Sequence, residues 1–175
     1  MLCVAGAIAA HGRESPLKVI LRYFTALSNV LCAIAALAVA IGRLCGSVPQ
    51  AVFLLKYVGT CAVAVTLLTV LLFLGPTIGY RILMTGPDFW LHIVCPILSA
   101  VSLLAWDKSS AGFGVVFLGA LPVALYGVLY LYKVILAPPE KRWADFYGFN
   151  RGGKWPVSFA AMAAGALLVS WILWR

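Results

Sequence analysis

The composition of the chain excludes a soluble globular domain. It has 175 residues, of which 64% are hydrophobic and 10% charged, with a mean hydropathy of +1.05, and one soluble core cannot cover that much apolar surface. The net charge of +8 comes from basic residues placed between the apolar runs, which favours anionic lipid headgroups over nucleic acid as their partner. The sequence predicts an all-α, polytopic protein of a lipid bilayer.

The chain begins with a short apolar stretch, residues 1–10, that cannot span a bilayer. No basic residue precedes it and no clear cleavage site follows it, so it lacks the features of a signal peptide. We expect it to be the remnant of a sixth helix. Five full spans of about 20 residues each follow and form one integral membrane domain over residues 1–175, with predicted bounds 21–44, 51–74, 89–106, 113–132 and 155–174.

Several residues inside or beside these spans are expected to shape them. Lys56 lies near enough to the start of the second span to snorkel to the interface, and Gly75-Pro76 is expected to end that span. Pro96 removes a backbone donor within the third span and is expected to kink it, which would widen a cavity near His92. After the fourth span, the aromatic and basic segment 137–154 suits the headgroup layer.

The distribution of the basic residues predicts the orientation in the membrane. Of the thirteen Lys and Arg residues, nine fall on the side where the first and third spans begin and four on the other. The positive-inside rule places the richer side in the cytoplasm. Its members are Arg13, Lys18, Arg22, Arg81, Lys133, Lys141, Arg142, Arg151 and Lys154, whereas Arg43, Lys56, Lys108 and Arg175 lie opposite.

Two polar side chains, Thr25 and His92, lie near the starts of the first and third spans. At 1.5 Å per residue, each is roughly 5 Å inside its predicted helix, so the two lie at matched depth on the same side. Ser28 and Asn29 share the helix face of Thr25. Asp88 precedes His92 by one turn, where its carboxylate can accept a hydrogen bond from a ring nitrogen and fix the tautomer.

A structural interpretation of these residues competes with a functional one. A lone Thr in a membrane helix usually donates to a carbonyl one turn back, and Ser or Asn often joins neighbouring helices. An intramembrane His is costly and is a functional candidate by default. The five cysteines have no metal-ligand spacing and are expected to pack as apolar groups, so the sequence contains no zinc or haem motif.

Four short motifs lie around these residues and in the later part of the chain: Arg22-Tyr23-Phe24-Thr25-Ala26-Leu27-Ser28-Asn29, Leu91-His92-Ile93-Val94-Cys95-Pro96, Ala105-Trp106-Asp107 and Tyr147-Gly148-Phe149-Asn150-Arg151-Gly152-Gly153. Together they resemble the androgen-induced (FAR-17a-like) membrane protein family and its bacterial relatives. The resemblance implies a six-helix threonine hydrolase that cleaves fatty-acid esters, with Thr25 and His92 in the positions of the essential Thr and His.

The corresponding mechanism is cofactor-independent acyl transfer. His92 would remove the proton of Thr25 as the hydroxyl attacks an ester carbonyl, with Asn29 or Ser28 as donors to the oxyanion. The head of the substrate, a carboxylate or phosphate, would meet Arg22 or Arg81.

A non-catalytic hypothesis stands beside the hydrolase. In it the chain is a small transporter or lipid-binding scaffold with Asp88 and His92 as its polar site. A transporter would be expected to have polar residues near the bilayer centre, whereas here they gather near one face. The short loops favour a bacterial inner membrane as the location.

Overall fold

The computed structural model describes residues 16–106 and 112–175. The predicted remnant at residues 1–10, as well as Asp107 and Lys108, lies outside this described part. Within it the chain is helical and contains no strand. Its helices are α1 (Pro16–Ile20), α2 (Phe24–Leu44), α3 (Gln50–Ile78), α4 (Tyr80–Leu83), α5 (Pro87–Ala105), α6 (Val115–Leu136) and α7 (Trp155–Trp174).

Five of these helices, α2, α3, α5, α6 and α7, are long and apolar enough to cross a membrane, which confirms the predicted all-α bundle. The bounds of α7 agree with the predicted 155–174, whereas α2 begins at Phe24 instead of residue 21. The prediction that the second span ends at Gly75-Pro76 is wrong, because α3 continues to Ile78. The helix ends at Gly79 instead, whose φ of 106° is a conformation that favours glycine.

Helix α3 is the centre of the bundle. Its most apolar stretch is 56% buried, compared with 22% for α2 and for α7, and α3 packs against α2, α5, α6 and α7. Tyr57, Cys61 and Val65 on α3 form the main core with Val123 on α6 and Val169 on α7. A helix surrounded in this way needs apolar residues on all its faces rather than along one stripe.

Hydroxyl groups join α3 to its neighbours inside this core. Thr60 donates to the carbonyl of Lys56 at 2.8 Å and lies 2.7 Å from the hydroxyl of Ser99 on α5, which also accepts from the thiol of Cys32 on α2 at 3.1 Å. Lys56 itself is only 4% exposed. The sequence predicted that Lys56 snorkels to the interface, whereas the structure encloses its side chain within the bundle.

The spans contain three wide π-helical turns, each of which ends two residues before a proline. They are Val70–Leu74 before Pro76, Trp90–Val94 before Pro96 and Tyr132–Leu136 before Pro138. In a π turn each carbonyl accepts from the amide five residues later. The carbonyls of Leu71, Leu91 and Lys133 would need the amide of the proline itself, and proline has no N–H.

A distant group donates to each of these three carbonyls. The hydroxyl of Tyr80 donates to Leu71 at 2.7 Å, the amide of Asn29 to Leu91 at 3.2 Å and the backbone N–H of Trp143 to Lys133 at 2.9 Å. An unpaired carbonyl in the hydrocarbon layer is costly, so these contacts fix the neighbouring elements onto the spans. The kink expected at Pro96 thus takes the form of a wide turn that contains His92.

We expect Gly119→Val to lower the thermal stability of the protein in detergent. A side chain at Gly119 would collide with the hydroxyl of Ser170, the thiol of Cys61 and the ring of Tyr57, and overpacking of this kind costs about 1–3 kcal/mol. Gly165→Ala is the matched control, because a Cβ there meets nothing within 4 Å. Thermal unfolding monitored by circular dichroism measures both, and an unchanged midpoint for Gly119→Val would contradict the packing described here.

Candidate functional site

The N-terminus of α2 presents Thr25 as its second residue. The amide of Phe24, the first residue of the helix, donates to the hydroxyl oxygen of Tyr147 at 3.0 Å. The hydroxyl of Tyr126 on α6 donates to the carbonyl of Arg22, just before the helix, at 2.6 Å. Two tyrosines from other parts of the chain therefore hold the start of α2 and with it Thr25.

The loop that carries Tyr147 is ordered by one carboxylate. Asp145 accepts hydrogen bonds from the amides of Phe149 at 2.9 Å and Asn150 at 2.8 Å and from the hydroxyl of Tyr130 at 2.8 Å. The oxygen of Tyr130 accepts in turn from the amide of Tyr147 at 3.0 Å. These bonds direct the ring of Tyr147 into the bundle, where it packs against the rings of Tyr126 and Tyr130.

His92 is buried on α5, with 7% of its surface exposed. Its Nδ1 lies 2.6 Å from the carbonyl oxygen of Leu83 on α4, and because that oxygen only accepts, Nδ1 carries the proton of a neutral ring. The Nε2 lone pair is then left as a base. The tautomer is set by a main-chain carbonyl, whereas the sequence had assigned this role to Asp88.

Thr25 and His92 line the same cavity, which has a volume of about 240 Å³. Asp88 lies in its wall as well and is 5% exposed. Helices α2 and α5 supply these polar side chains, while Tyr147 closes the cavity from the loop before α7. The structure thus brings together the two residues that the sequence singled out, in a cavity whose remaining walls are mostly apolar.

Ser28 and Asn29 are engaged elsewhere. The amide nitrogen of Asn29 donates to the carbonyls of Thr25 at 2.8 Å and Leu91 at 3.2 Å, which uses both of its hydrogens. Ser28 is 1% exposed and shares a hydrogen bond of 3.0 Å with the hydroxyl of Thr66 on α3. Neither side chain lines the cavity, and both join α2 to its neighbours. The contacts of Asn29 also fix α2 beside the residue preceding His92.

Neither of the predicted head-group residues lines the cavity. Arg22 precedes the lining residue Tyr23 in the sequence, and its guanidinium carbon lies 5.8 Å from the centre of the Trp143 ring. Arg81 is exposed on α4. Within the described residues, no group of three His, Cys, Asp or Glu side chains is placed to hold a metal ion.

Tyr147 is a candidate site residue to which the sequence analysis gave no role. It lines the cavity together with Thr25 and His92, and its oxygen accepts from the amide of Phe24, so its own hydrogen remains available for donation. Burial raises the pKa of the Tyr147 phenol to about 12. The only sequence signal was its place in the loop motif before the last span.

Comparison with protein-family models, curated proteins and solved structures finds no match to this chain. The fold and the cavity therefore carry the functional argument, and membership of the FAR-17a-like family stays a proposal from short motifs.

We expect Tyr147 to ionise near pH 12 rather than near the ordinary value of about 10. Subtracting the ultraviolet tyrosinate titration of Tyr147→Phe from that of the wild type isolates this group. Since the unfolded chain ionises first, the same phenol should make the folded state less stable as the pH rises from about 10 to 12. A difference titration centred near pH 10 would mean that Tyr147 is solvated and does not enter the bundle.

Proposed function

We propose that the chain is an intramembrane threonine hydrolase that cleaves fatty-acid esters. The observation that supports it is the cavity that Thr25 and His92 both line, which offers a hydroxyl-bearing and an imidazole side chain at one end of a membrane-type bundle. The hydrogen bond from Nδ1 to Leu83 adds to it, because it leaves Nε2 as the basic nitrogen. Both features are what an activated hydroxyl nucleophile requires.

The reaction would proceed through an acyl-threonine. Nε2 of His92 takes the proton of the Thr25 hydroxyl as its oxygen attacks the ester carbonyl. The tetrahedral intermediate collapses, and the alcohol leaves with the proton returned by His92. A water molecule, deprotonated by the same Nε2, then attacks the acyl-threonine, and the fatty acid is released as the Thr25 hydroxyl re-forms.

Tyr147 is the donor that we assign to the oxyanion, in place of Ser28 and Asn29. Its phenol lines the cavity beside Thr25, whereas both amide hydrogens of Asn29 are bound by carbonyls. Thr25 also lies in the first turn of α2, where the helix dipole favours negative charge. A neutral donor and a helix N-terminus together suit the charge that develops on the carbonyl oxygen.

The position of the cavity within the bundle supports a lipidic substrate. An ester whose chain stays in the hydrocarbon would present its carbonyl near Thr25, and Arg22, which precedes the lining residue Tyr23, would meet a carboxylate or phosphate head. The excess of basic residues on this side supports a cytoplasmic orientation. We include a bacterial inner membrane in the proposal because the loops between spans are short.

We expect a fluorophosphonate probe to label Thr25 in the purified, detergent-solubilised protein. Thr25→Ala removes the nucleophile and should abolish labelling, and loss of a general base in His92→Gln should slow it by about 10²–10⁴-fold. Labelled peptides are identified by mass spectrometry. Ser28→Ala is the matched control, because it removes a hydroxyl from the same helix at a position outside the cavity.

The absence of labelling in a folded, monodisperse wild type would overturn the proposal that the protein is a hydrolase with Thr25 as its nucleophile. Asp88 and His92, both buried in the wall of one cavity, would then favour the transporter or lipid-binding scaffold. Wild-type labelling at a site other than Thr25 would also contradict the proposal.

We expect Tyr147→Phe to lower kcat for ester hydrolysis by about 10²-fold with little change in KM, because the donor acts on the transition state. Tyr130→Phe is the control for a structural effect, since it removes the hydroxyl that joins Asp145 to the amide of Tyr147. Steady-state kinetics on a soluble ester compares the two. Equal losses in both variants would show that Tyr147 acts only by holding the loop.

A further inference from the structure

Two more cavities continue from the candidate site. A narrow one, of about 30 Å³, adjoins the Thr25 cavity, because Thr25, Leu74 and Tyr147 line both. It passes between α2, α3 and α6 and is bounded further in by Val123 and Met162. Its walls are almost entirely apolar, so the surroundings change from polar to apolar directly beyond Thr25.

The third cavity is a groove of about 340 Å³ between α3 and α7. It shares Val65, Thr69, Phe149 and Met162 with the narrow cavity. Its lining includes Leu168, thirteen residues after the start of α7 at Trp155, which is about 20 Å along the helix. The groove therefore runs from the end of the bundle that holds Thr25 toward the middle of the spans.

We propose that these three adjoining cavities bind one acyl chain of the ester, with its carbonyl at Thr25 and its methyl end in the groove. The inference rests on the hydrolase proposed above and names the subsite for its substrate. The order of the cavities points to this occupant, because the narrow cavity shares lining residues with the polar cavity on one side and with the apolar groove on the other. An amphipathic molecule with one reactive polar end and a long apolar tail changes from polar to apolar along its length in the same order as these cavities.

Met162 lies where the narrow cavity and the groove adjoin, since it lines both. Opposite it, Gly127 on α6 provides space, because a Cβ there would collide with the end of Met162 and with the ring of Phe159. Methionine has three rotatable bonds and adapts to irregular gaps. Rotation of this side chain is the movement that opens the route to the acyl chain.

The groove selects and positions the chain more than it adds affinity. A chain that moves from lipid into the groove passes from one apolar environment to another, so it gains little from the hydrophobic effect. Its contribution is to hold the ester carbonyl at Thr25. Blocking the groove should therefore change which chain lengths are hydrolysed.

Gly165→Phe tests this subsite, because the groove wall at Gly165 is open and a Cβ there meets nothing within 4 Å. We expect the ratio of long-chain to short-chain ester hydrolysis to fall about tenfold or more. Ala161→Phe, one turn earlier on the same wall, should act in the same direction. Ala164→Phe is the matched control, because Ala164 is exposed on α7 outside the groove, and it should leave the ratio unchanged.

A binding measurement separates the subsite from the chemistry. Thr25→Ala protein in phosphatidylcholine vesicles is irradiated with a fatty acid that carries a diazirine near its methyl end, and cross-links are mapped by mass spectrometry. We expect cross-links on the groove walls of α3 and α7, reduced by Gly165→Phe and retained in Ala164→Phe.

Cross-linking with this pattern in a protein that hydrolyses no ester would support the chain subsite and reject the hydrolase. Cross-links spread evenly over the outer faces of the spans would show annular lipid only and would overturn the subsite. The subsite would also be overturned if both groove-filling variants, shown to be folded by their thermal unfolding, kept the wild-type chain-length ratio.

Discussion

The structure depends on how the bundle satisfies the carbonyls that its prolines leave without a partner. Pro76, Pro96 and Pro138 each follow a π turn, and each removes the amide that would have paired with the carbonyl five residues before it. Water can satisfy such a carbonyl on the surface of a soluble protein, but the hydrocarbon layer offers none. The donors must come from the chain itself, and they come from Tyr80, Asn29 and Trp143.

These donors determine which elements lie next to one another at the end of the bundle that holds the cavity. Asn29 joins α2 to the wide turn of α5, so Thr25 and His92 lie on neighbouring helices. Trp143 anchors the start of the long loop to the end of α6, and Asp145 then directs Tyr147 toward the start of α2. The polar groups of the cavity are thus positioned by the same contacts that satisfy the ends of the helices.

The sequence was sufficient to predict the five spans and the similar depth of Thr25 and His92. It was not sufficient to predict which groups donate hydrogen bonds to the helix ends and to the freed carbonyls. Apolar run length predicted five helices, and helix rise placed Thr25 and His92 at similar depth, because both depend on local sequence. The partners of Asn29 and Tyr147 lie 62 and 123 residues away, so only the packing reveals them. The prolines were visible in the sequence, yet their effect was misjudged at Gly75-Pro76, where α3 continues because Tyr80 satisfies the freed carbonyl of Leu71.

The environment of Tyr147 suits the role of hydrogen-bond donor that we propose for its phenol beside Thr25. A tyrosinate would accept hydrogen bonds and repel an oxyanion, so the group is useful only while protonated. Burial raises its pKa to about 12, so the phenol stays protonated even above the pH of about 10 at which an ordinary tyrosine ionises. The amide of Phe24, by donating to the same oxygen, polarises the phenol and strengthens its O–H as a donor. The contact that completes the first turn of α2 thereby also prepares the donor at the cavity, so the stability of this helix end and the proposed chemistry depend on one hydroxyl group.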